Sequence, residues 1–240
     1  MKRRWQVVSL DVGGTLIEPW PSVGQVYAGC AASVGFGPVD PAALNRRFAE
    51  EWKAAQIRGF DYSLEAWGRI VADSFRGLVA DPGSKALFAE AYERFAWPGA
   101  WRIFDDVRPL LRALSDDGIK LVVTSNWDER LKPLLTRLRL AGNFDFVAVS
   151  GEIGYHKPDV RLFQAVTRHL GVSPQAILHV GDSDFEDVAG ARAAGWEAWR
   201  LNRRGSTDGA ARTAGTLYDV ARWVLDSTTA PWDMAVGGSG

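Results

Sequence analysis

Two hundred and forty residues, 47% hydrophobic and 24% charged, suit a soluble globular chain of one large domain or of a core domain carrying a smaller insert. A formal net charge of −1 gives no attraction for nucleic acid or an anionic membrane, and no apolar window reaches membrane-spanning length. The one cysteine, Cys30, excludes an intrachain disulfide framework and fits a reducing cytoplasm, and the apolar run after the basic Met1–Arg4 is too short for a signal peptide.

The first predicted element is Trp5–Leu10, a short apolar run that reads as a fully buried strand of a parallel sheet. It ends on Asp11, with Gly13, Gly14 and Thr15 directly after. The segment IEPWPSVGQ, carrying two prolines and a glycine, reads as a flap or linker rather than a strand. From Ser22 to Ala96 the patterning is helical, with candidate helices Val23–Val34, Pro41–Ile57, Leu64–Leu78 and Lys85–Phe95. Asp40 is placed to cap the second, whose first turn takes Pro41, and Ser63 to cap the third. WPGAW, Trp97 to Trp101, punctuates the end of this helical bundle.

From Asp105 helices and strands alternate: helix Asp106–Leu114, strand Ile119–Thr124, helix Glu129–Leu140, strand Phe146–Val149, helix Val160–Leu170, strand Ala176–Val180, helix Phe185–Ala194, strand Trp196–Arg200 and helix Leu217–Leu225. Such alternation implies an α/β fold, a parallel sheet with helices on both faces. Residues 1–18 and 97–226 would form this core and 19–96 the helical insert. Residues 227–240, with VGGSG, read as a flexible tail.

The strands of such a sheet end on one edge, where polar residues after each strand converge. Asp11 follows the first strand, Ser125 and Asn126 the second, Lys157 lies in the loop after the third, and Asp182 follows the fourth with Asp187 a turn further on. Taken singly, each has a plainer reading: Asp182 as a helix cap, Lys157 as a solvated charge, Ser125-Asn126 as a strand-end turn. Together they put carboxylates, an ammonium and a hydroxyl in one place. Clustered carboxylates repel unless a divalent cation neutralises them, and oxygen-only ligands suit Mg²⁺ rather than zinc. Lysine, hydroxyl and Mg²⁺ make a phosphate clamp, and a carboxylate aimed into it is a candidate nucleophile.

The set DVGGTL, TSN, KPD and GDSDFED resembles the four motifs of the haloacid dehalogenase-like superfamily, and the helical insert resembles the cap of its subfamily I. DVGGT alone also resembles the phosphate loop of actin-like sugar kinases, which are longer and continue into a strand. The resemblance implies a Rossmann-like core with a helical cap and a hydrolase acting on a small phosphorylated metabolite through an aspartyl phosphate. It makes Asp11 the nucleophile and assigns Mg²⁺ to Asp11, the Gly13 carbonyl, Asp182 and Asp187. Ser125, Asn126 and Lys157 would hold the phosphoryl group with Thr15 beside them, and Asp187 would support the lysine or a metal-bound water. A cytoplasmic monomer or homodimer is expected.

One position departs from the pattern. Family phosphatases carry a second Asp two residues after the nucleophile, as general acid and base; here it is Gly13. Loss of such a group costs ~10²–10⁴-fold, which points to a leaving group needing little protonation, such as an acyl phosphate, or to a substitute acid, with Tyr155 and His156 as candidates. Family dehalogenases also lack that Asp and use no metal, but they lack the acidic fourth motif as well. A metal-independent 2-haloacid dehalogenase and a weakly catalytic phosphate- and Mg²⁺-binding regulatory module are the alternatives. Lys53, in EEWKAAQ, reads as a solvated helix residue, and Trp52, Phe60, Tyr62 and Trp67 as packing of the cap or an apolar substrate surface.

Overall fold

A computed structural model of the chain describes residues 4–205 and 212–225; the expected tail lies outside them. In chain order the strands and α-helices are β1 (Val7–Leu10), β2 (Ile17–Pro19), α1 (Val23–Ser33), α2 (Pro41–Arg58), α3 (Leu64–Phe75), α4 (Lys85–Arg94), β3 (Trp101–Ile103), α5 (Val107–Asp116), β4 (Lys120–Ser125), α6 (Leu131–Arg137), β5 (Phe146–Val149), α7 (Ser150–Ile153), α8 (Val160–Leu170), β6 (Ile177–Gly181), α9 (Gly190–Ala193), β7 (Glu197–Leu201), β8 (Thr213–Ala214) and α10 (Leu217–Leu225). Two compact units result. One comprises Met1–Ile17, Ile103–Asn126 and Leu140–Gly240, the other Glu18–Arg102 and Trp127–Arg139.

The first unit is a parallel sheet in the order β5-β4-β1-β6-β7-β8. All four residues of β1 are buried, as its unbroken apolar run requires of a central strand. Leu10 pairs with Val123 on one side and Val180 on the other, so Asp11, Ser125 and Asp182 leave the same sheet edge within a residue or two of one another. Strand order reverses at β1, where open α/β sheets place their ligands. The ends of α8 show why its bounds follow from sequence: the Asp159 carboxylate accepts the Arg161 N–H at 2.9 Å, and Gly171 terminates it at φ +64°.

The second unit is helical. Asp40 accepts from the Ala42 and Ala43 amides and Ser63 from Ala66, each such cap contributing about 1 kcal/mol. Tyr27, Cys30, Leu44, Phe75 and Leu87 form its core. Trp52, Phe60, Tyr62 and Trp67 pack on one another, with Trp52 stacked on Trp67 at 5.6 Å and Phe60 edge-on to both. Lys53 is exposed on α2.

Several sequence expectations move. IEPWPSVGQ is not strand-free: Ile17–Pro19 pairs with Trp101–Ile103 in a two-stranded ribbon that two prolines and a four-score residue separation disguise. The first strand begins at Val7, while Trp5 packs edge-on to Trp199. Helix Leu64–Leu78 stops at Phe75, and Glu129–Leu140 contracts to Leu131–Arg137. That segment, expected with the sheet, groups with the helices because Arg130 donates to the Tyr92 carbonyl and lies 3.4 Å over its ring, while Arg137 donates to the Ala96 carbonyl. Contacts some forty residues apart leave no trace in local periodicity. The expected helix Phe185–Ala194 opens as a π-turn over Asp184–Ala189, where the Val188 N–H reaches back five residues to Ser183. β8 and the one-turn helix α7 were not expected from pattern. Among the described residues no helix is long and apolar enough to cross a membrane.

Candidate active site

Asp11 directly follows β1, 6% exposed, with its carboxylate among polar side chains of the first unit. Ser125 Oγ donates to Asp11 Oδ1 at 2.9 Å and Lys157 Nζ donates to the same oxygen at 2.7 Å. Asp11 Oδ2 takes no bond from either. Lys157 Nζ also bonds Asp187 Oδ1 at 2.5 Å, so one buried ammonium bridges two buried carboxylates. Asp182 stands at the rim as an exposed residue whose carboxylate packs against Gly14. Oxygens of Asp11, Asp182 and Asp187 all lie within 4.8 Å of one another.

The loops are shaped for this crowding. Gly14 has φ +76°, and a Cβ there would lie 2.4 Å from Asp182 Oδ2. At Gly181 a Cβ would meet Asp187 Cγ at 2.1 Å, so the π-turn can fold Asp187 back over the end of β6 only because that residue has no side chain. Asn126 clasps the lysine loop, donating through Nδ2 to the Lys157 carbonyl at 3.0 Å and accepting the Lys157 N–H at Oδ1 at 2.7 Å. Thr15 is fully buried, and its carbonyl accepts from Arg203 at 2.8 Å. Gly13 is half-buried and its backbone bridges to Ile17.

Sequence reading missed three supports. Arg203 pairs with Asp106 through both terminal nitrogens and holds the Thr15 carbonyl, while Asp106 also accepts the Leu217 N–H. His179 bonds Asp187 Oδ1 at 3.0 Å from inside β6; a histidine within the apolar run ILHVG was the available signal. Glu186, half-buried in the π-turn, adds a further carboxylate beside Asp187 and near Lys157. Of the proposed substitute acids, Tyr155 is exposed beneath the Arg161 guanidinium and His156 is half-buried.

Electrostatics follow from three carboxylates around one lysine. Burial alone would raise the Asp187 pKa, but the Lys157 charge and the His179 hydrogen bond hold it well below the usual carboxylate range. Asp11 is shifted up, by burial first and by the Asp187 charge, against the opposing pull of Lys157. Lys157 would be pushed down by burial, yet the Asp11 and Asp187 charges raise it well above its ordinary value. Asp182 is pushed up to about 7, by the surrounding protein and then by Asp11 and Asp187; Glu186 also reaches about 7, chiefly through burial. Three carboxylates against one ammonium leave an excess of hard oxygen donors that could hold a Mg²⁺-sized cation.

A pH dependence follows. Asp182 and Glu186 titrate higher folded than unfolded, so the folded chain binds more protons and the stability this gives at low pH is lost as pH rises through about 7. Melting curves in chelator should therefore show Tm falling from about pH 5 to pH 8. Asp182→Asn should shrink that fall and added Mg²⁺ should reverse it at pH 8; a flat profile would contradict the repulsion.

A parallel sheet whose strand ends gather a buried Asp, a Ser, a Lys and an acidic pair offers a candidate carboxylate nucleophile beside hydrogen-bond donors. The family model "haloacid dehalogenase-like hydrolase" matches residues 5–195, and the chain belongs to that family. It is 33% identical over 210 residues to the human haloacid dehalogenase-like hydrolase domain-containing protein 3, covering 83% of each chain. It is 35% identical over 155 residues to a glyceraldehyde 3-phosphate phosphatase of Methanopyrus kandleri, covering 64% of this chain and 62% of that one. Among solved structures, a 2-haloacid dehalogenase from Pseudomonas syringae aligns at TM-score 0.64 and 26% identity, over 92% of this chain and 98% of the other.

Proposed function

We propose that the protein is a Mg²⁺-dependent phosphatase that transfers the phosphoryl group of a small phosphorylated metabolite to Asp11. The observation that carries this reading is the cluster Asp11, Asp182 and Asp187 within 4.8 Å, with Lys157 as its buried cation. A dehalogenase needs no cation, and three carboxylates with one lysine would repel its anionic substrate. The name of the M. kandleri relative agrees with a phosphatase.

Lys157 and Ser125 fix Asp11 through Oδ1, which leaves Oδ2 to attack phosphorus as the bond to the leaving oxygen breaks. Their N–H and O–H groups then hydrogen-bond the phosphoryl oxygens, and water hydrolyses the aspartyl phosphate to regenerate the carboxylate. Bound at Asp11 and Asp182, with the Gly13 carbonyl and Asp187 beside them, Mg²⁺ would supply the positive charge that offsets the incoming phosphate. Gly13 offers no side chain to protonate the leaving oxygen, so the reading favours aryl or acyl phosphates over alkyl ones. Choice of substrate is assigned to the helical unit, and the buried Cys30 suits a cytoplasmic setting.

The test is hydrolysis of aryl, acyl and alkyl phosphates with Mg²⁺ and with chelator, beside halide release from 2-haloacids. Chelator-sensitive phosphate release, faster for aryl and acyl substrates, is expected. In Gly13→Asp, alkyl-phosphate turnover should rise by about 10–10²-fold. Halide release indifferent to chelator would establish the dehalogenase instead, and silence in both assays a binding module.

A further inference from the structure

His179 is the third residue of β6, between the fully buried Leu178 and Val180, and has no solvent contact itself. β6 is flanked by β1 and β7, so an imidazole there is costly unless both ring nitrogens are bonded. Both are: Nδ1 lies 3.0 Å from Ser9 Oγ and Nε2 lies 3.0 Å from Asp187 Oδ1. Ser9 stands directly opposite His179 in the β1–β6 register, and its hydroxyl shares a 2.9 Å hydrogen bond with Thr124 of β4. Three adjacent strands thus contribute one polar residue each to a row, Thr124–Ser9–His179, that crosses the apolar core beneath the site and ends on Asp187. Apolar side chains would pack that row at least as well.

The row has a target. Asp187 is ionised and accepts only, so His179 Nε2 carries the proton and donates. On Asp187, Oδ1 takes Lys157 and His179 and Oδ2 takes the Ser183 N–H at 3.0 Å. We propose that His179 is a positioning residue: by fixing the rotation of the Asp187 carboxylate from within the sheet, it sets the Lys157 ammonium against Asp11. The kinetic consequence rests on the phosphatase reading; the geometric one does not.

Two near-isosteric variants separate positioning from packing. In His179→Gln the amide still reaches Asp187, whereas in His179→Asn it reaches only toward Ser9. With p-nitrophenyl phosphate and Mg²⁺, kcat of H179N should fall about tenfold or more, within the range for lost supporting hydrogen bonds, while H179Q stays within about threefold. In the Asp187→Asn background, H179N should add no further loss, because both act through one carboxylate. Equal activities of H179N and H179Q, losses that multiply in the double variant, or failure of both to fold would each overturn the assignment. If the wild type cleaves no aryl, acyl or alkyl phosphate, the phosphatase reading fails, and His179 is judged by acetylation of Lys157 with acetic anhydride, followed by peptide mass. A rise of about fivefold in H179N but not H179Q supports the positioning role, and equal rates in all three proteins refute it.

Discussion

Asp11→Asn is expected to lower phosphate release by about 10⁴-fold or more while leaving the fold intact. The amide oxygen still accepts from Ser125 and Lys157, so the site keeps its hydrogen bonds, but a neutral amide cannot form the acyl phosphate. Stability should change little. Burial and the Asp187 charge already disfavour the ionised Asp11, so removing that charge relieves repulsion and offsets the weakened Lys157 pair. The measurement pairs phosphate release with a melting curve. A folded variant retaining a tenth of wild-type activity would show that Asp11 is not the attacking group.

Lys157→Met is the second variant with a large expected effect, and it strikes stability as well as activity. Lys157 is 4% exposed and its ammonium is bonded to both Asp11 and Asp187. Removing one member of a buried ionic group leaves charge uncompensated and costs about 3–5 kcal/mol. For a chain of this size that corresponds to a Tm lower by roughly 6–20 °C. Mg²⁺ should recover part of the loss by neutralising the same carboxylates, and turnover should remain absent with or without it. A Tm within about 2 °C of wild type would mean that the ammonium does not hold the cluster together.

What was legible beforehand depended on how local the signal is. The helices with strong caps kept their bounds closely: α8 between Asp159 and Gly171, α2 after Asp40-Pro41, and α3 after Ser63 at its start. The buried strands were equally plain, because a run such as VVSL or KLVVTS has no amphipathic alternative in a sheet covered on both faces. Ribbon β2–β3, the grouping of Trp127–Arg139 with the helices, and the π-turn at Asp184–Ala189 are set by partners far along the chain or by a side chain folding back on its own strand.

The sequence by itself determined that Asp11, Ser125 and Asp182 gather at one sheet edge, with Lys157 in the connection after the third strand of the core, because strand ends in a parallel sheet share a side and these three residues end or directly follow their strands. Only the tertiary structure decided which oxygens meet: that one ammonium serves Asp11 and Asp187 together, that Gly14 and Gly181 must lack side chains for the carboxylates to close up, that Asn126 clasps the lysine loop, and that a histidine inside β6 reaches Asp187. The physical reason is range. Propensity and pattern act over a few residues, whereas hydrogen bonds and charge act between atoms a few ångströms apart, whether the chain brings them together from eight residues away, as His179 and Asp187, or from 146, as Asp11 and Lys157.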